Sequence, residues 1–278
     1  MTDDLWEHLL KVHSDGPAQT SRELARRIRL SSLLMAADAQ APHIGSCFSV
    51  ADILAVLFFQ SPRHSDRFIP KIILSKGHAA AAYYSALAHV GLLPIETLRT
   101  YCKDGGDLKG HVSHSDTHFA PLSTGSLGHG LPFSTGLCIA SRLDDSEEQI
   151  YVVLSDGELD EGTTWEAALI AAHFGLNNLT AVVDRNYLQS LTTTEATLRL
   201  EPLSQKFEAF GWSVSDCSGH NHLELGGAVS GRSDKPRVVV ARTTKGFGVS
   251  RMHDAVEWHY KPPSGVDVPE MYAELLQD

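Results

Sequence analysis

The sequence predicts an α/β fold with a doubly wound, mostly parallel sheet. Short apolar segments of strand type alternate along the chain with segments of helical periodicity, as is typical of this class. One helical segment separates the apolar runs 150–154 and 179–183, and the two strands of such a strand–helix–strand unit lie parallel. With 278 residues, 42% of them apolar and 21% charged, the chain is long enough to bury one large core.

The elements predicted before this central unit are mainly helical. Residues 1–20 are polar and are interpreted as an N-terminal arm. The next helix carries Leu24, Ile28 and Met35 on one face, as the helical period requires. A buried helix at 49–59, a strand at 71–74 and a small-residue helix at 79–89 follow, and Gly91 stops the last of these.

The second half of the chain holds the central unit and two further strands. The acidic cluster 144–148 is interpreted as a surface turn before the strand 150–154. Thr163 and Glu166 have the spacing of a capping box that starts the intervening helix, and Gly175 is placed to end it. The remaining predictions are a helix at 202–210, strands at 212–216 and 237–241 that flank a helix at 222–232, a main domain over 21–260, and a linker with a short helix over 261–278.

Composition excludes several classes of partner. The net charge of −11 disfavours nucleic acid and anionic membrane, so we expect neither. The 4 cysteines lie far apart without paired spacing, which indicates neither a zinc site nor a disulfide framework. The longest apolar run, 53–59, is too short to cross a bilayer, and the polar N-terminus is not a secretion signal. These features favour a cytoplasmic protein.

Polar residues follow both strands of the central unit at the same edge of the predicted sheet. Asp156-Gly157 comes after the first strand, and Asn186 comes after the second. A hard cation at this edge can bind a carboxylate oxygen, an amide oxygen and a loop carbonyl, and keep its other positions for phosphate oxygens. Gly157 lets the backbone approach those phosphates closely. An Asp-Gly pair alone usually marks an ordinary strand–helix corner, but its spacing from Asn186 across one crossover favours a magnesium–diphosphate site.

These residues resemble a known family. Asp156-Gly157 with Asn186 resembles the thiamine diphosphate motif, and the segment 156–167 resembles the transketolase family, its split-subunit branch most closely. The resemblance covers almost the whole chain and implies the thiamine diphosphate-binding fold. Further segments that resemble transketolase motifs, in the same order, are 66–68 with 74–78, 108–111, 123–130 and 241–250 with 257–259.

Three positions depart from the family pattern. Ser155 replaces the first glycine of the motif, and Tyr187 follows the metal-binding asparagine, where a small residue is common. The segment 41–45, with the sequence Ala-Pro-His-Ile-Gly, replaces the usual Ser-Gly-His-Pro-Gly. We expect the first departure to tighten the phosphate turn and the other two to reshape the substrate mouth.

The resemblance implies a role for each matching residue. Thiamine diphosphate and Mg²⁺ would be the cofactors, with Asp156, Asn186 and the carbonyl of Leu188 as metal ligands. Contacts to the cofactor are implied for Gly125, Leu127, Gly157, Glu158 and His259. The catalytic residues implied are His43, His78, His111 and His259, which would line the cofactor and the reacting carbon of the sugar, and Glu161, which would lie at the subunit contact. Imidazoles suit this chemistry because they donate to hydroxyls and oxyanions and shuttle protons.

The resemblance also implies a partner. In full-length relatives a second α/β domain follows and supplies the glutamate that activates the aminopyrimidine ring, whereas the present sequence ends at Asp278 within a short helix. We therefore expect the N-terminal subunit of a two-subunit transketolase, paired with a separate pyrimidine-domain subunit in a heterotetramer. Its reaction would transfer a two-carbon ketol unit from a ketose or ketose phosphate to an aldose acceptor, so sugars or sugar phosphates would be the substrates.

Other interpretations are open at this stage. One is a subunit of another thiamine diphosphate enzyme, such as the first component of a 2-oxoacid dehydrogenase or a deoxyxylulose phosphate synthase, and another is a non-catalytic cofactor-binding remnant. His111, His114 and His118 have a spacing that a transition-metal site can use. The segment 245–248 contains two glycines and is a weak candidate for a phosphate-binding loop.

Overall fold

The computed structural model describes residues 2–60, 71–146, 148–231 and 233–277. Its strands are β1 (Lys71–Leu74), β2 (Ile150–Ser155), β3 (Leu179–Arg185), β4 (Ser213–Ser218) and β5 (Arg237–Arg242). Its helices are α1 (Thr2–Ser14), α2 (Ser21–Ala39), α3 (Ile44–Gln60), α4 (Ala80–His89), α5 (Gly130–Leu143), α6 (Gly162–His173), α7 (Thr194–Thr197), α8 (Leu203–Ala209), α9 (His222–Ser230) and α10 (Val268–Gln277).

The strands form one sheet in the order β1-β2-β3-β5-β4, and every pairing is parallel. β2 pairs with β3 so that Ser155 lies opposite Asp184. Asp156 and Asn186 therefore follow the last paired residues at the same edge, which confirms the predicted strand–helix–strand unit. The carboxyl ends of β1 and β5, which flank this pair, open on the same edge.

Helices cover both faces of the sheet, as the doubly wound prediction requires. Alternate strand residues point to opposite faces, so Val153 and Val182 join a core with α2, α3 and α4, whereas Val152 and Val183 join a second core with α5, α6 and α8. β3 is buried along its whole length because both of its faces are covered. The charged residues at the end of this strand must therefore be paired within the protein.

The helix of the central unit ends as predicted but does not begin as predicted. Gly175 has a φ of +57°. Its N–H donates to the Ala172 carbonyl and the N–H of Leu176 donates to the Ala171 carbonyl, both over 3.0 Å, which is a Schellman motif and confirms the stop. The Thr163–Glu166 capping box is wrong, because Thr163 lies inside α6 and its hydroxyl donates to the Gly128 carbonyl over 2.8 Å.

Several other element ends differ from the prediction. α3 begins at Ile44, five residues before the predicted start at 49, and α5 lies in a segment for which no helix was predicted. The predicted helix 222–232 ends at Ser230 in the structure. Parts of the predictions lie outside the described residues, namely the motif Asp66-Arg67-Phe68 and the residues Glu147, Arg232 and Asp278.

Both terminal helices pack on α2. Trp6 of α1 is buried, and its indole N–H donates to Asp38 over 2.7 Å. Tyr272 of α10 forms a 2.9 Å hydrogen bond with His8 of α1. The division into an arm, a main domain and a C-terminal segment stays a prediction, although α1 and α10 contribute to the same core as α2 and α3. Among the described residues, every helix is too short or too polar to cross a membrane.

Candidate active site

A cavity of about 360 Å³ opens at the carboxyl edge of the sheet. It lies over the ends of β1, β2 and β3, where the topology brings together loops that are far apart in sequence. The predicted site residues that line it are His43, His78, His111, Gly125, Leu127, Asp156, Gly157, Asn186, Leu188 and His259. Other lining residues are Ser46, Lys76, Ser155, Gln189, Ser190 and Tyr260.

Asp156 and Asn186 lie together in the floor of this cavity and are both buried. The Asp156 carboxylate accepts the N–H of Gly157 over 2.9 Å and the N–H of Tyr187 over 2.6 Å. It also accepts Arg185 over 3.2 Å. Burial and the nearby Asp184 carboxylate raise the pKa of Asp156 to about 6. A cation bound at this carboxylate would therefore offset an unfavourable burial of negative charge.

A second acid, Asp184, lies beneath the floor and was not predicted from the sequence. It forms a salt bridge with Lys76, and both side chains are fully buried. Its carboxylate also accepts the hydroxyls of Ser49, over 2.6 Å, and of Thr243. Burial alone would raise the pKa of Asp184, but Lys76 holds it below its ordinary value. This pair fixes one positive and one negative charge beneath the cavity.

Lys245 is a further cation that the sequence analysis did not assign to the site. Its Nζ lies 2.9 Å from Nδ1 of His259 and 3.5 Å from the carbonyl oxygen of Gln189. Burial, with a smaller contribution from Lys76, lowers the pKa of Lys245 to about 8. Lys76 and Lys245 were detectable in principle, because each closely follows a strand whose carboxyl end lies at the edge that also carries Asp156.

The four predicted histidines converge on one wall of the cavity. The ring centroid of His43 lies 4.9 Å from that of His259, 5.3 Å from that of His78 and 5.9 Å from that of His111. Burial is the main cause that lowers the pKa of His43 to about 4 and that of His259 to about 3. It also lowers the pKa of His78 and of His111. All four imidazoles are therefore neutral at neutral pH, so each can donate one hydrogen bond and accept another.

Two predicted residues do not line the cavity. The buried Glu158 carboxylate accepts the hydroxyl of Ser75, the N–H of Gly128 over 2.9 Å and the N–H of Ser155 over 3.3 Å. It therefore braces the cavity wall instead of facing the cavity. Glu161 is exposed at the start of α6, where its side chain makes no capping hydrogen bond. Its proposed place at a subunit contact stays a prediction.

The donor set fits a hard dication that shares its ligands with phosphate. Asp156, Asn186 and the carbonyl of Leu188 offer oxygen atoms, and an octahedral Mg²⁺ takes its other ligands from phosphate or water. Gly157 lets Gln189 pack closely at the edge of this site, because a Cβ there would lie 3.1 Å from the Gln189 side chain. Lys76 and Lys245 supply the local positive charge that an anionic group needs in a chain of net charge −11.

The transition-metal alternative is wrong. Within the described ranges, no group of three or more His, Cys, Asp or Glu side chains is placed to hold a metal ion. His111 lines the cavity, whereas His114 forms a 2.7 Å hydrogen bond with Ser123 and the ring of His118 packs against Phe119.

Comparisons with known proteins agree with the fold. The model of the transketolase family's thiamine diphosphate binding domain matches residues 20–275. The chain is 40% identical over 262 residues to an apulose-4-phosphate transketolase subunit of Actinobacillus succinogenes, covering 91% of this chain and 95% of that protein. It is 37% identical over 218 residues to the 6-deoxy-6-sulfo-D-fructose transketolase subunit of a Clostridium species, covering 75% and 78% of the two chains.

The match to solved structures extends over a similar share of the chain. The crystal structure of transketolase from Campylobacter jejuni has a TM-score of 0.85 at 26% identity and aligns with 93% of this chain and 43% of its own. The chain likewise spans 41% of the transketolases of Homo sapiens and Pongo abelii. It thus corresponds to about two fifths of the full-length enzymes and to most of the length of the two subunits named before them.

The parallel sheet, the buried Asp156–Asn186 pair at its edge and the matched family model define a thiamine diphosphate-binding domain. The chain belongs to the transketolase family. Within that family, the proteins that it matches over most of their length are named as transketolase subunits.

Proposed function

We propose that this chain, together with a separate pyrimidine-domain subunit, transfers a two-carbon ketol unit from a ketose or ketose phosphate to an aldose acceptor. The observation that supports this best is the arrangement of one cavity, with the Asp156–Asn186 pair in its floor and four neutral histidines on its wall. A diphosphate held at the floor, in contact with His259, leaves His43, His78 and His111 free to contact a sugar. The residues of this chain would thus divide into a cofactor-holding floor and a substrate-facing wall.

Thiamine diphosphate would supply a nucleophilic carbon that adds to the ketose carbonyl and a thiazolium ring that accepts the electron pair released when the neighbouring carbon–carbon bond breaks. Asp156, Asn186 and the Leu188 carbonyl would hold Mg²⁺, and Gly157 with His259 would contact the diphosphate. Gly125 and Leu127 would line the cofactor's rings. Lys245 would add an ammonium beside His259 that pairs with phosphate oxygens.

The histidines would move protons and hold the sugar. Because the imidazoles of His43, His78 and His111 are neutral, each can take the proton of a sugar hydroxyl at one nitrogen while its other nitrogen donates. In neutral His259, Nδ1 accepts from Lys245, so its Nε2–H would donate to the sugar or the cofactor. The rings of His43 and His259 are in edge-on contact, so a proton on one lowers the basicity of the other. This arrangement disfavours protonation of both rings at the same time.

A partner subunit would supply what this cavity lacks. Among the described lining residues, Asp156 is the one carboxylate, and it lies in the floor. The glutamate that activates the aminopyrimidine would therefore come from the pyrimidine-domain subunit, with Glu161 near the contact. We infer a heterotetramer with two-fold symmetry, each cofactor lying between unlike chains. The unpaired cysteines Cys47, Cys102, Cys138 and Cys217 fit a reducing cytoplasm.

The test is co-expression of this chain with its pyrimidine-domain subunit. We expect the purified complex to transfer a ketol unit in a reaction that requires Mg²⁺ and thiamine diphosphate, and we expect no turnover by this chain alone. The ketose donors tested in this assay should include apulose 4-phosphate, 6-deoxy-6-sulfofructose and a linear ketose phosphate. Full turnover by the isolated chain would refute the proposal that activity requires a separate subunit. A complex that decarboxylates 2-oxoacids and ignores ketoses would move the chain to the dehydrogenase class.

Cofactor affinity should fall as the pH rises through about 8. Since Lys245 has a pKa of about 8, its amine is charged below that pH and neutral above it, and only the charged form attracts a diphosphate. The dissociation constant of thiamine diphosphate, measured by tryptophan fluorescence at saturating Mg²⁺ from pH 7 to 9.5, should therefore increase. Lys245→Arg keeps its positive charge over this pH range, so its dissociation constant for thiamine diphosphate should change little with pH. If the dissociation constant of this variant rises with pH as steeply as that of wild type, Lys245 is not the cause of the pH dependence.

Ser155→Gly should be tolerated. The Ser155 backbone does not have a positive φ, and its N–H is already held by Glu158, so neither residue type strains the turn. We expect kcat/KM of the complex to change by no more than a few-fold. A loss above about a hundredfold, about 2.7 kcal/mol of barrier, would reveal a specific role of the hydroxyl.

A further inference from the structure

A buried polar cluster lies beside the loop that carries Lys245, outside the cavity lining. Its centre is Asp52 of α3, which forms a salt bridge with Arg29. Two histidines donate to the same carboxylate, His220 Nδ1 over 2.7 Å and His222 Nε2 over 2.8 Å. Burial would raise the pKa of Asp52, but Arg29 and the two histidines hold it below its ordinary value. Asp52 is therefore a fixed anion.

The contacts of His220 determine which of its nitrogens carries the proton. Nδ1 points at a carboxylate and must donate, whereas Nε2 lies 2.8 Å from the backbone N–H of Thr244 and must accept. Asp52 thus fixes the tautomer of His220 that can bind Thr244. His222 has the mirror arrangement, because its Nε2 donates to Asp52 and its Nδ1 accepts from the Ser21 hydroxyl over 2.7 Å.

The side chain of His220 also supports the loop after Thr244. The ring of Phe247 stacks on the imidazole with centroids 3.7 Å apart and planes 12° apart. The Arg29 guanidinium lies 4.9 Å from the centroid of the same Phe247 ring. Lys245 lies between the two anchored positions, and its Nζ reaches His259 in the cavity. The hydrogen bonds of His222 lead to α3 and α2 instead, so the two histidines differ in what they hold.

We propose that His220, oriented by Asp52, is a positioning residue that holds the 243–249 loop so that Lys245 reaches the diphosphate of the cofactor. This inference rests on the proposed binding of thiamine diphosphate. His220 touches neither cofactor nor substrate, and it acts through the Thr244 backbone and the Phe247 ring. His222 shares the acid but anchors the start of α2.

Two substitutions at His220 separate its two hydrogen bonds. His220→Gln can place an acceptor where Nε2 lies, so it keeps the hydrogen bond from the Thr244 N–H. His220→Asn can place a donor where Nδ1 lies, so it keeps the bond to Asp52 and leaves the Thr244 N–H unpaired. His222→Asn is the matched control because it removes one bond to Asp52 without touching the loop. For each variant in complex with the partner subunit, the Kd of thiamine diphosphate is measured by tryptophan fluorescence at saturating Mg²⁺. Exchange of the Thr244 amide hydrogen is measured by NMR, and the melting temperature is recorded.

We expect His220→Asn to weaken cofactor binding about tenfold, as the loss of one buried hydrogen bond implies, and to speed exchange at Thr244. The Kd of His220→Gln for thiamine diphosphate should stay within about twofold of the wild-type value. His222→Asn should lower the melting temperature while leaving the Kd unchanged. Should His220→Asn fail to fold, Phe247→Leu, which removes the stacking contact, takes its place and should also weaken binding.

Unchanged binding by His220→Asn, or equal weakening by His222→Asn, would overturn the positioning role and leave the proposed function intact. If the wild-type complex itself fails to bind thiamine diphosphate, the proposed function is refuted and this inference with it.

Discussion

Asp156→Ala is expected to abolish the retention of thiamine diphosphate and Mg²⁺ without unfolding the domain. The substitution removes a charged oxygen ligand from a six-coordinate ion, and we expect the Kd of the cofactor to rise at least about a hundredfold, about 2.7 kcal/mol. The fold should persist, because Arg185 keeps its hydrogen bonds to Thr194 over 2.7 Å, Glu195 over 2.9 Å and Glu201 over 3.1 Å. Calorimetry on the complex gives the affinity, and circular dichroism the fold.

The control for this variant is Asp216→Ala. Asp216 lies on β4 of the same sheet and forms a salt bridge with Arg242, but it is partly exposed and does not line the cavity. We expect the Asp216→Ala complex to bind thiamine diphosphate with the same affinity as the wild-type complex. An Asp156→Ala complex that binds both cofactors as tightly as wild type would show that the site has been assigned to the wrong residue.

The largest loss of stability is expected for Lys76→Met. Both partners of the Lys76–Asp184 pair are fully buried, so the substitution leaves a carboxylate without its cation inside the protein. Removing one partner of such a pair costs about 3–5 kcal/mol. The hydroxyls of Ser49 and Thr243 still donate to Asp184, but neither carries a charge. The free energy of unfolding in urea at pH 7 should fall by this amount.

Lys71→Met provides the matched comparison. Lys71 lies on the strand that leads to Lys76, and it pairs with Glu148 over 2.8 Å with 41% of its side chain exposed. Because exposed pairs contribute about 0–1 kcal/mol, this variant should have nearly the stability of wild type. Equal losses in the two variants would mean that the cost does not come from burial of the charge on Asp184.

The part of the site that the sequence predicted depends on one local unit. Asp156 and Asn186 follow two strands joined by a single helix, and the parallel pairing of such strands is nearly invariant, so their meeting could be inferred. Lys76 and Lys245 follow β1 and β5, whose neighbours in the sheet depend on long-range packing. A parallel sheet places both lysines at the edge that carries Asp156, but their closeness to the Asp156–Asn186 pair depends on the strand order.

Other differences have a similar cause. The spacing of Thr163 and Glu166 predicts a local capping box, but the loop that contains Gly128 folds over the start of α6 and accepts the Thr163 hydroxyl. The hydrogen bond from Thr163 to the distant Gly128 carbonyl thus takes the place of the local capping box. The histidines were assigned through family motifs, and the structure brings them together because the loops that carry them meet at one sheet edge. No periodicity in the sequence encodes that meeting.

The bracing contacts of Glu158 bear on how the cavity wall moves. One carboxylate connects Ser75 after β1, Gly128 in the loop before α5, and Ser155 at the end of β2. Segments that share one anchor are coupled on the microsecond-to-millisecond timescale, since releasing any of them removes a hydrogen bond from a buried carboxylate. Amide exchange at Gly128 and Ser155 should consequently report one concerted opening, with a common rate and a common free energy. The segment after β1, the loop before α5 and the end of β2 would thus open as one unit, so a sugar would enter without separate movement of any of them.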